Sequence, residues 1–267
     1  MSAVSLSQAI KQRDWRADVE CYLNLLLGVF AASQCQWDAV NDHLRAAERA
    51  KTHSTVESML NTFFVYLRGV YCQGIGDFDN ALSYFQNPCL SLVIDQPKDS
   101  QRHLALLAAM NRLWIMQRPS HQNAPMTTEL LNQLEPLCRD HYNVEIRGAW
   151  SGVKATVVTV PPRQRNQRKE DAGRALNDVK ASANALAITI GLVIARDLLY
   201  NNVIGDQAWK CMQAAAKWAD KSSNPLWQSV VHGILADFSE ARNEKENAKR
   251  FWDRGVQEAK LAFARSS

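Results

Sequence analysis

Small and aromatic residues between positions 69 and 85 place the tightest constraint on how this chain can fold. The segment has glycines at Gly69 and Gly76, and an aspartate directly follows Gly76. Ala81 and Phe85 come next, at helical spacing. This order suits two packed helices, with a glycine where they touch, a Gly-Asp turn, an alanine at the crossing and an aromatic plug. Because one hairpin cannot bury its apolar face alone, the segment predicts stacked neighbours and an extended surface.

Three further units repeat this pattern in degenerate form. One lies 41 residues toward the N-terminus and pairs Gly28 with Gly69, Asp38 with Asp79, Val40 with Ala81, and Leu44 with Phe85. Residues 226–262 form another, with contact, turn, crossing and plug at Ala236, Asn243, Ala248 and Trp252. Residues 186–222 form the last, with a turn at 204–206. The units predict an all-α chain of tetratricopeptide-like hairpins stacked as a right-handed superhelical solenoid, and the alternative is a helical bundle of unrelated hairpins.

Proline and capping signals set the expected boundaries of the helices. We expect a helix from Asp14, which would cap it, to about Ser33, and further helices at 37–51, 59–73 and 77–85. Leucines and a phenylalanine recur at helical spacing in the first helix and predict that it is the first wall of the stack; they are Leu23, Leu26, Leu27 and Phe30. The chain divides into an N-terminal helical-repeat block at 1–160, a basic Pro/Arg linker at 161–171 and a C-terminal helical-repeat block at 172–267, within one continuous solenoid.

Four basic residues follow the Pro-Pro break within the linker. They are Arg163, Arg165, Arg168 and Lys169, and phosphate contact with DNA or RNA is the functional interpretation of the cluster. The alternative is a solvated entry to a helix, balanced by the acidic residues just downstream at 170 and 171. The absence of interleaved aromatic residues favours the solvated entry.

Composition and spacing give no support for catalysis. The six histidines and six cysteines are dispersed without zinc or redox spacing, so we predict no bound metal, no cofactor and buried free thiols. No glycine-rich phosphate loop or nucleophile elbow occurs, and we predict that the chain is not an enzyme. The net charge of +4 is a mild basic excess, and neither a signal peptide nor a membrane span is expected.

Longer blocks of sequence resemble a known family. They are 11–16 (KQRDWR), 76–82 (GDFDNAL) leading into 88–92 (PCLSL), 203–208 (VIGDQA) and 226–230 (LWQSV), in that order. Together they are similar to the fungal type of the cohesin loading factor family, the tetratricopeptide subunit of the complex that loads cohesin onto chromatin. The resemblance implies a nuclear protein that acts in sister chromatid cohesion. It covers the C-terminal part of longer family members, so we expect a fragment, a mispredicted gene product or a shortened paralogue.

The resemblance also implies a protein partner, namely the extended N-terminal segment of the large cohesin-loader subunit. Solenoid geometry places six residues on the inner faces of the first helices, where such a segment would lie: Tyr22, Leu25, Val29, Tyr66, Val70 and Gln73. The alternatives are a generic tetratricopeptide adaptor for another protein or a paralogue without loader activity. A clamp for a C-terminal carboxylate is disfavoured because it needs Lys, Arg and Asn where these largely apolar residues stand.

Overall fold

All regular structure in the described part of the chain is helical. A computed structural model describes residues 3–51, 57–92, 99–157, 165–179, 205–222 and 224–264. The helices are α1 (Ala3–Ser33), α2 (Trp37–Lys51), α3 (Glu57–Gly74), α4 (Phe78–Phe85), α5 (Asp99–Ile115), α6 (Ala124–Cys138), α7 (Val144–Thr156), α8 (Arg165–Val179), α9 (Gly205–Ser222), α10 (Pro225–Ala241) and α11 (Lys245–Ala264). The prediction of an all-α chain is confirmed. None of the described helices is long and apolar enough to cross a membrane.

The chain separates into two compact units, residues 1–121 and 122–267. In the first unit, α1, α2 and α3 pack against one another, and α4 and α5 pack against α3. One core cluster lies among α1, α2 and α3 and includes Leu25, Leu44 and Leu67; a second lies among α3, α4 and α5 and includes Ala81 and Phe85. The crossing and plug residues expected in the best repeat are therefore fully buried.

Three helical hairpins share one turn geometry. The second residue after the first helix of each hairpin has a positive φ, at Cys35 (56°), Gly76 (86°) and Asn243 (61°). In each case the next amide donates to the carbonyl five residues earlier, over 2.8 to 3.0 Å, as in a Schellman cap. Cys35 and Gly76 also keep the 41-residue offset, so the degenerate repeat extends to the backbone of the turns.

The second unit is a succession of neighbouring helices in which α6 packs on α7, α7 on α8, α8 on α9, α9 on α10 and α10 on α11. Asparagine side chains begin three of these helices by accepting hydrogen bonds from free amides, at Asn123, Asn143 and Asn224. Because α7 and α8 pack closely, the two blocks expected on either side of the basic linker are in contact within one unit. The second half of that linker is helical, and residues 158–164 lie outside the described residues.

Two sequence expectations are corrected at helix ends. The first helix begins at Ala3, so Asp14 lies within it and does not cap it. No glycine or proline interrupts the residues before Asp14, so nothing local stops the helix there. The turn expected at 204–206 is also wrong in its described part, because Gly205 and Asp206 are the first residues of α9.

Trp252, expected to plug the last hairpin, is instead 59% exposed. A Cβ placed on Gly255 would lie 3.3 Å from the Ser229 carbonyl oxygen, so α10 and α11 lie close together there. Phe251, one turn before Gly255, stacks with His232 of α10 at 6.3 Å between ring centroids. Since consecutive helical residues point about 100° apart, Trp252 is turned away from the contact that Phe251 makes.

Candidate protein-interaction surface

Between residues 15 and 33, the part of α1 whose side chains are described, most large apolar side chains are uncovered. The buried hydrophobic residues of this part are Cys21, Leu25 and Ala31, whereas the exposed large ones are Trp15, Tyr22, Leu23, Leu26, Leu27, Val29 and Phe30. Four of these, Leu23, Leu26, Leu27 and Phe30, were expected to make α1 the first wall of the stack, and in this structure their side chains are exposed. Contiguous exposed apolar residues on a helix are unusual and mark sites that another protein covers.

Helical spacing arranges these exposed residues in two adjacent stripes. Tyr22, Leu26 and Val29 recur at intervals of four and three and form one stripe, which we call the α1 stripe. Leu23, Leu27 and Phe30 form the second. The Tyr22 ring packs edge-on against the Phe63 ring of α3, with 6.3 Å between the ring centroids. The α1 stripe therefore continues onto the neighbouring helix.

On α3 the predicted contact residues are less accessible than those on α1. Tyr66 is partly buried, packs against the Phe85 ring at 6.0 Å and hydrogen-bonds Asn111 of α5. Burial raises the pKa of Tyr66 to about 12, against the lowering effect of that hydrogen bond, so the phenol is neutral. Val70 is also partly buried, and it packs against both core clusters of the first unit.

The remaining two predicted contact residues differ from each other. Leu25 has no exposed surface and belongs to the core cluster of α1 to α3, so it is a packing residue and not an accessible contact. Gln73 is partly buried near the end of α3, and its Oε1 atom is buried without a hydrogen-bond partner. The Tyr22–Phe63 contact thus connects α1 to α3, and the Tyr66–Asn111 hydrogen bond connects α3 to α5. Of the six predicted contact residues, Tyr22 and Val29 are exposed.

The predicted phosphate contacts are only partly within the described residues. Arg163 lies outside them, and the side chains of Arg165 and Lys169 do as well, although their backbones belong to α8. Arg168 donates from Nε to the carbonyl oxygen of Ala155 over 2.7 Å. This bond attaches α8 to the end of α7 and holds the guanidinium against the protein.

A charged cleft of about 640 Å³ lies beside this contact between α6, α7 and α8. Its charged lining is balanced, with the bases Arg139, Arg147, Lys154 and Arg174 and the acids Asp140, Glu170, Asp171 and Asp178. Arg147 pairs with Asp178 at 3.4 Å across α7 and α8. Because neither sign is in excess among the described lining residues, these residues give the cleft no net charge that would attract a phosphate backbone.

Glu135 is the centre of the ionic network next to this cleft. It accepts hydrogen bonds from Arg139 Nε at 2.8 Å, Lys154 Nζ at 3.1 Å and Trp150 Nε1 at 3.1 Å. Lys154 also lies 3.7 Å from Asp171 on α8. Desolvation alone would raise the pKa of Glu135, but the hydrogen bonds from Arg139 and Lys154 outweigh it and hold that pKa below its usual value. The network joins α6, α7 and α8 and acts on stability.

Packed helical hairpins and an uncovered apolar helix face define an all-α protein with a surface suited to another polypeptide. The sequence profile of the cohesin loading factor family matches residues 1–246, and the chain belongs to this family. No curated protein and no solved structure matches the chain significantly. The family membership confirms the resemblance seen in the sequence and indicates a role in cohesin loading.

Proposed function

We propose that this chain is a non-catalytic helical-repeat scaffold that binds an extended segment of the large cohesin-loader subunit and supports cohesin loading onto chromatin. The observation that carries the proposal is the α1 stripe of Tyr22, Leu26 and Val29, which is exposed although it is apolar. In water such a stripe has a free-energy cost of exposure that a partner removes by covering it. Family membership supplies the class of partner.

The arrangement of the first unit supports an extended ligand over a compact one. Tyr22 on α1 touches Phe63 on α3, and Tyr66 on α3 bonds Asn111 on α5, so side-chain contacts connect three successive odd-numbered helices. In stacked hairpins the first helix of each hairpin lines the inner face. The shared turn at Cys35, Gly76 and Asn243 supports the tetratricopeptide-like stacking that such a groove requires.

An extended segment loses conformational entropy when it binds, and it compensates with many contacts along its length. Aromatic and branched side chains are effective at such contacts because they bury much apolar area with few rotatable bonds. A nuclear location in the context of sister chromatid cohesion follows from this proposed role, as does indirect association with chromatin. The basic residues of the linker are not needed for it.

Co-expression tests the proposal directly. The tagged chain and the N-terminal segment of the large loader subunit are expected to co-purify as one species through size-exclusion chromatography. A generic adaptor, or a paralogue without loader activity, would leave the segment in the unbound fraction. A matched segment with its apolar residues replaced by serine is the control, and it is expected not to co-purify.

A further inference from the structure

A second candidate binding site lies in the other compact unit, residues 122–267. An open groove with a volume of about 630 Å³ is lined by residues of α9, α10 and α11. Its apolar part comprises Trp209 and Ala216 of α9, Leu235 of α10 and Phe251 of α11, and its polar part comprises Gln213, Lys217, Asp220 and Lys221. The groove is therefore apolar with charged residues along the α9 side.

Aromatic contacts hold the apolar walls in place. The centroid of the Trp209 ring lies 6.1 Å from that of the Phe238 ring of α10. The Arg242 guanidinium carbon lies over the Trp209 ring, 5.6 Å from its centroid. Phe251 stacks with His232 at 6.3 Å on the opposite wall. Because both walls are fixed by their own packing, a ligand side chain would enter a preformed site and lose little energy in rearranging it.

A ridge of three lysines runs along α9 beside the groove. Lys210, Lys217 and Lys221 are separated by seven and four residues, so they share one face of the helix, and all three are exposed. The acid on the same rim, Asp220, pairs with Arg254 of α11 at 3.5 Å. Once that pair is formed, Lys217 and Lys221 give the rim a net positive charge.

An apolar groove with a basic rim fits one kind of occupant by charge complementarity. We propose that this groove binds a short acidic segment of a protein partner, with one aromatic or aliphatic side chain over Leu235 between Trp209 and Phe251. Carboxylates of the segment on either side of that residue pair with Lys217 and Lys221. The site is separate from the α1 stripe, so it does not depend on the function proposed above.

The test uses the full chain and a fluorescein-labelled peptide in which a single phenylalanine is flanked on both sides by Asp and Glu. Fluorescence anisotropy is expected to show saturable binding that weakens about tenfold in the double variant Lys217→Ser/Lys221→Ser, because the variant loses two exposed ion pairs with the peptide carboxylates. Replacing the peptide phenylalanine by alanine is expected to cause a similar loss. Ala216→Glu, which places a carboxylate in the groove, is expected to abolish binding.

The matched control is Lys249→Ser/Lys260→Ser, which removes the same charge from exposed positions of α11. Circular dichroism confirms folding, and the lysine variants serve as the test if Ala216→Glu fails to fold. Four results would overturn the proposal: no binding of the peptide, an equal loss in the control pair, no effect of the phenylalanine, or tighter binding of duplex DNA with the same dependence on Lys217 and Lys221. The last result would identify a nucleic-acid surface.

Discussion

Gly69 of α3 lies against the ring of Phe85 of α4 so closely that no side chain fits between them. A Cβ placed on Gly69 would come within 2.5 Å of Phe85 Cε1, a separation that real Cβ atoms do not show. Phe85 is buried in the second core cluster and also touches Tyr66, so the ring has little room to move. The glycine therefore sets the distance between the two helices of the hairpin.

The first prediction concerns this contact. Gly69→Ala is expected to destabilise the chain by about 1–3 kcal/mol, because overpacking a filled core forces side chains or backbone to shift. Gly173→Ala in α8 is the control, since a Cβ there would meet nothing within 4 Å. The control is expected to be neutral or to stabilise by up to about 1 kcal/mol through helix propensity. Urea unfolding followed by circular dichroism measures both, and equal stability of the two variants would contradict the close packing.

The second prediction concerns the repeated turn. Cys35 has a φ of 56°, a conformation that favours glycine, whereas the equivalent turn position in the next hairpin is Gly76. Cys35→Gly is expected to stabilise the chain by about 0.5–1 kcal/mol, because it removes the steric cost of a left-handed side chain at a smaller cost in backbone entropy. Gly76→Ala is expected to destabilise it for the same reason. Thermal unfolding compares the two, and destabilisation by Cys35→Gly would show that the thiol contributes packing that outweighs the backbone strain.

The third prediction concerns pH. Because the folded-state pKa of Glu135 is below its ordinary value of 4.5, this carboxylate adds stability that is fully present above that value and is lost as the pH falls through the folded pKa. Glu135→Gln is therefore expected to lower the melting temperature at about pH 7 by more than at about pH 3. The melting temperatures of both chains across this range provide the measurement. A difference independent of pH would mean that Glu135 acts through packing alone.

The sequence predicted individual hairpins well because the local spacing of residues determines how each hairpin packs. Helix α2 has the predicted bounds, Trp37–Lys51, and Ala81 and Phe85 are buried as expected, because small and aromatic residues at fixed offsets decide how a single hairpin packs. Asn243 also adopts its predicted turn. These features depend on neighbours within a few turns of helix, which the sequence lists in order.

Features that depend on the angle between helices were not predictable in this way. Gly28 was aligned with Gly69, yet the atom nearest to a Cβ placed on it would be Leu67 Cδ2 of α3 at 2.6 Å, nearer than His43 Cβ of its own hairpin at 3.6 Å. Trp252 was placed in a core, yet the close approach at Gly255 turns Phe251 inward in its place. A shift of one residue in the crossing point changes which side chain is buried, and the repeat pattern does not contain that information.

The candidate surface was predictable only in part for the same reason. Tyr22 and Val29 are exposed at the predicted positions, whereas Leu25, between them in sequence, faces the core. The exposure of the other α1 leucines had no signal in the sequence, because helical spacing shows that a stripe is apolar and does not show what covers it. The ion pairs that connect α6, α7 and α8 could not be predicted either, because Glu135, Lys154 and Asp171 are distant in sequence.

A titration of the labelled N-terminal segment of the large loader subunit tests whether the α1 stripe holds this segment. Val29→Glu places a charge in the stripe, and Val230→Glu is the matched control because the two valines are 40% and 39% exposed. The segment is expected to bind the unchanged chain and the Val230→Glu control equally. It is expected to bind Val29→Glu at least about tenfold more weakly, as is typical of an interface hot spot. Equal binding by all three proteins, or no binding by the unchanged chain, would contradict binding at the α1 stripe.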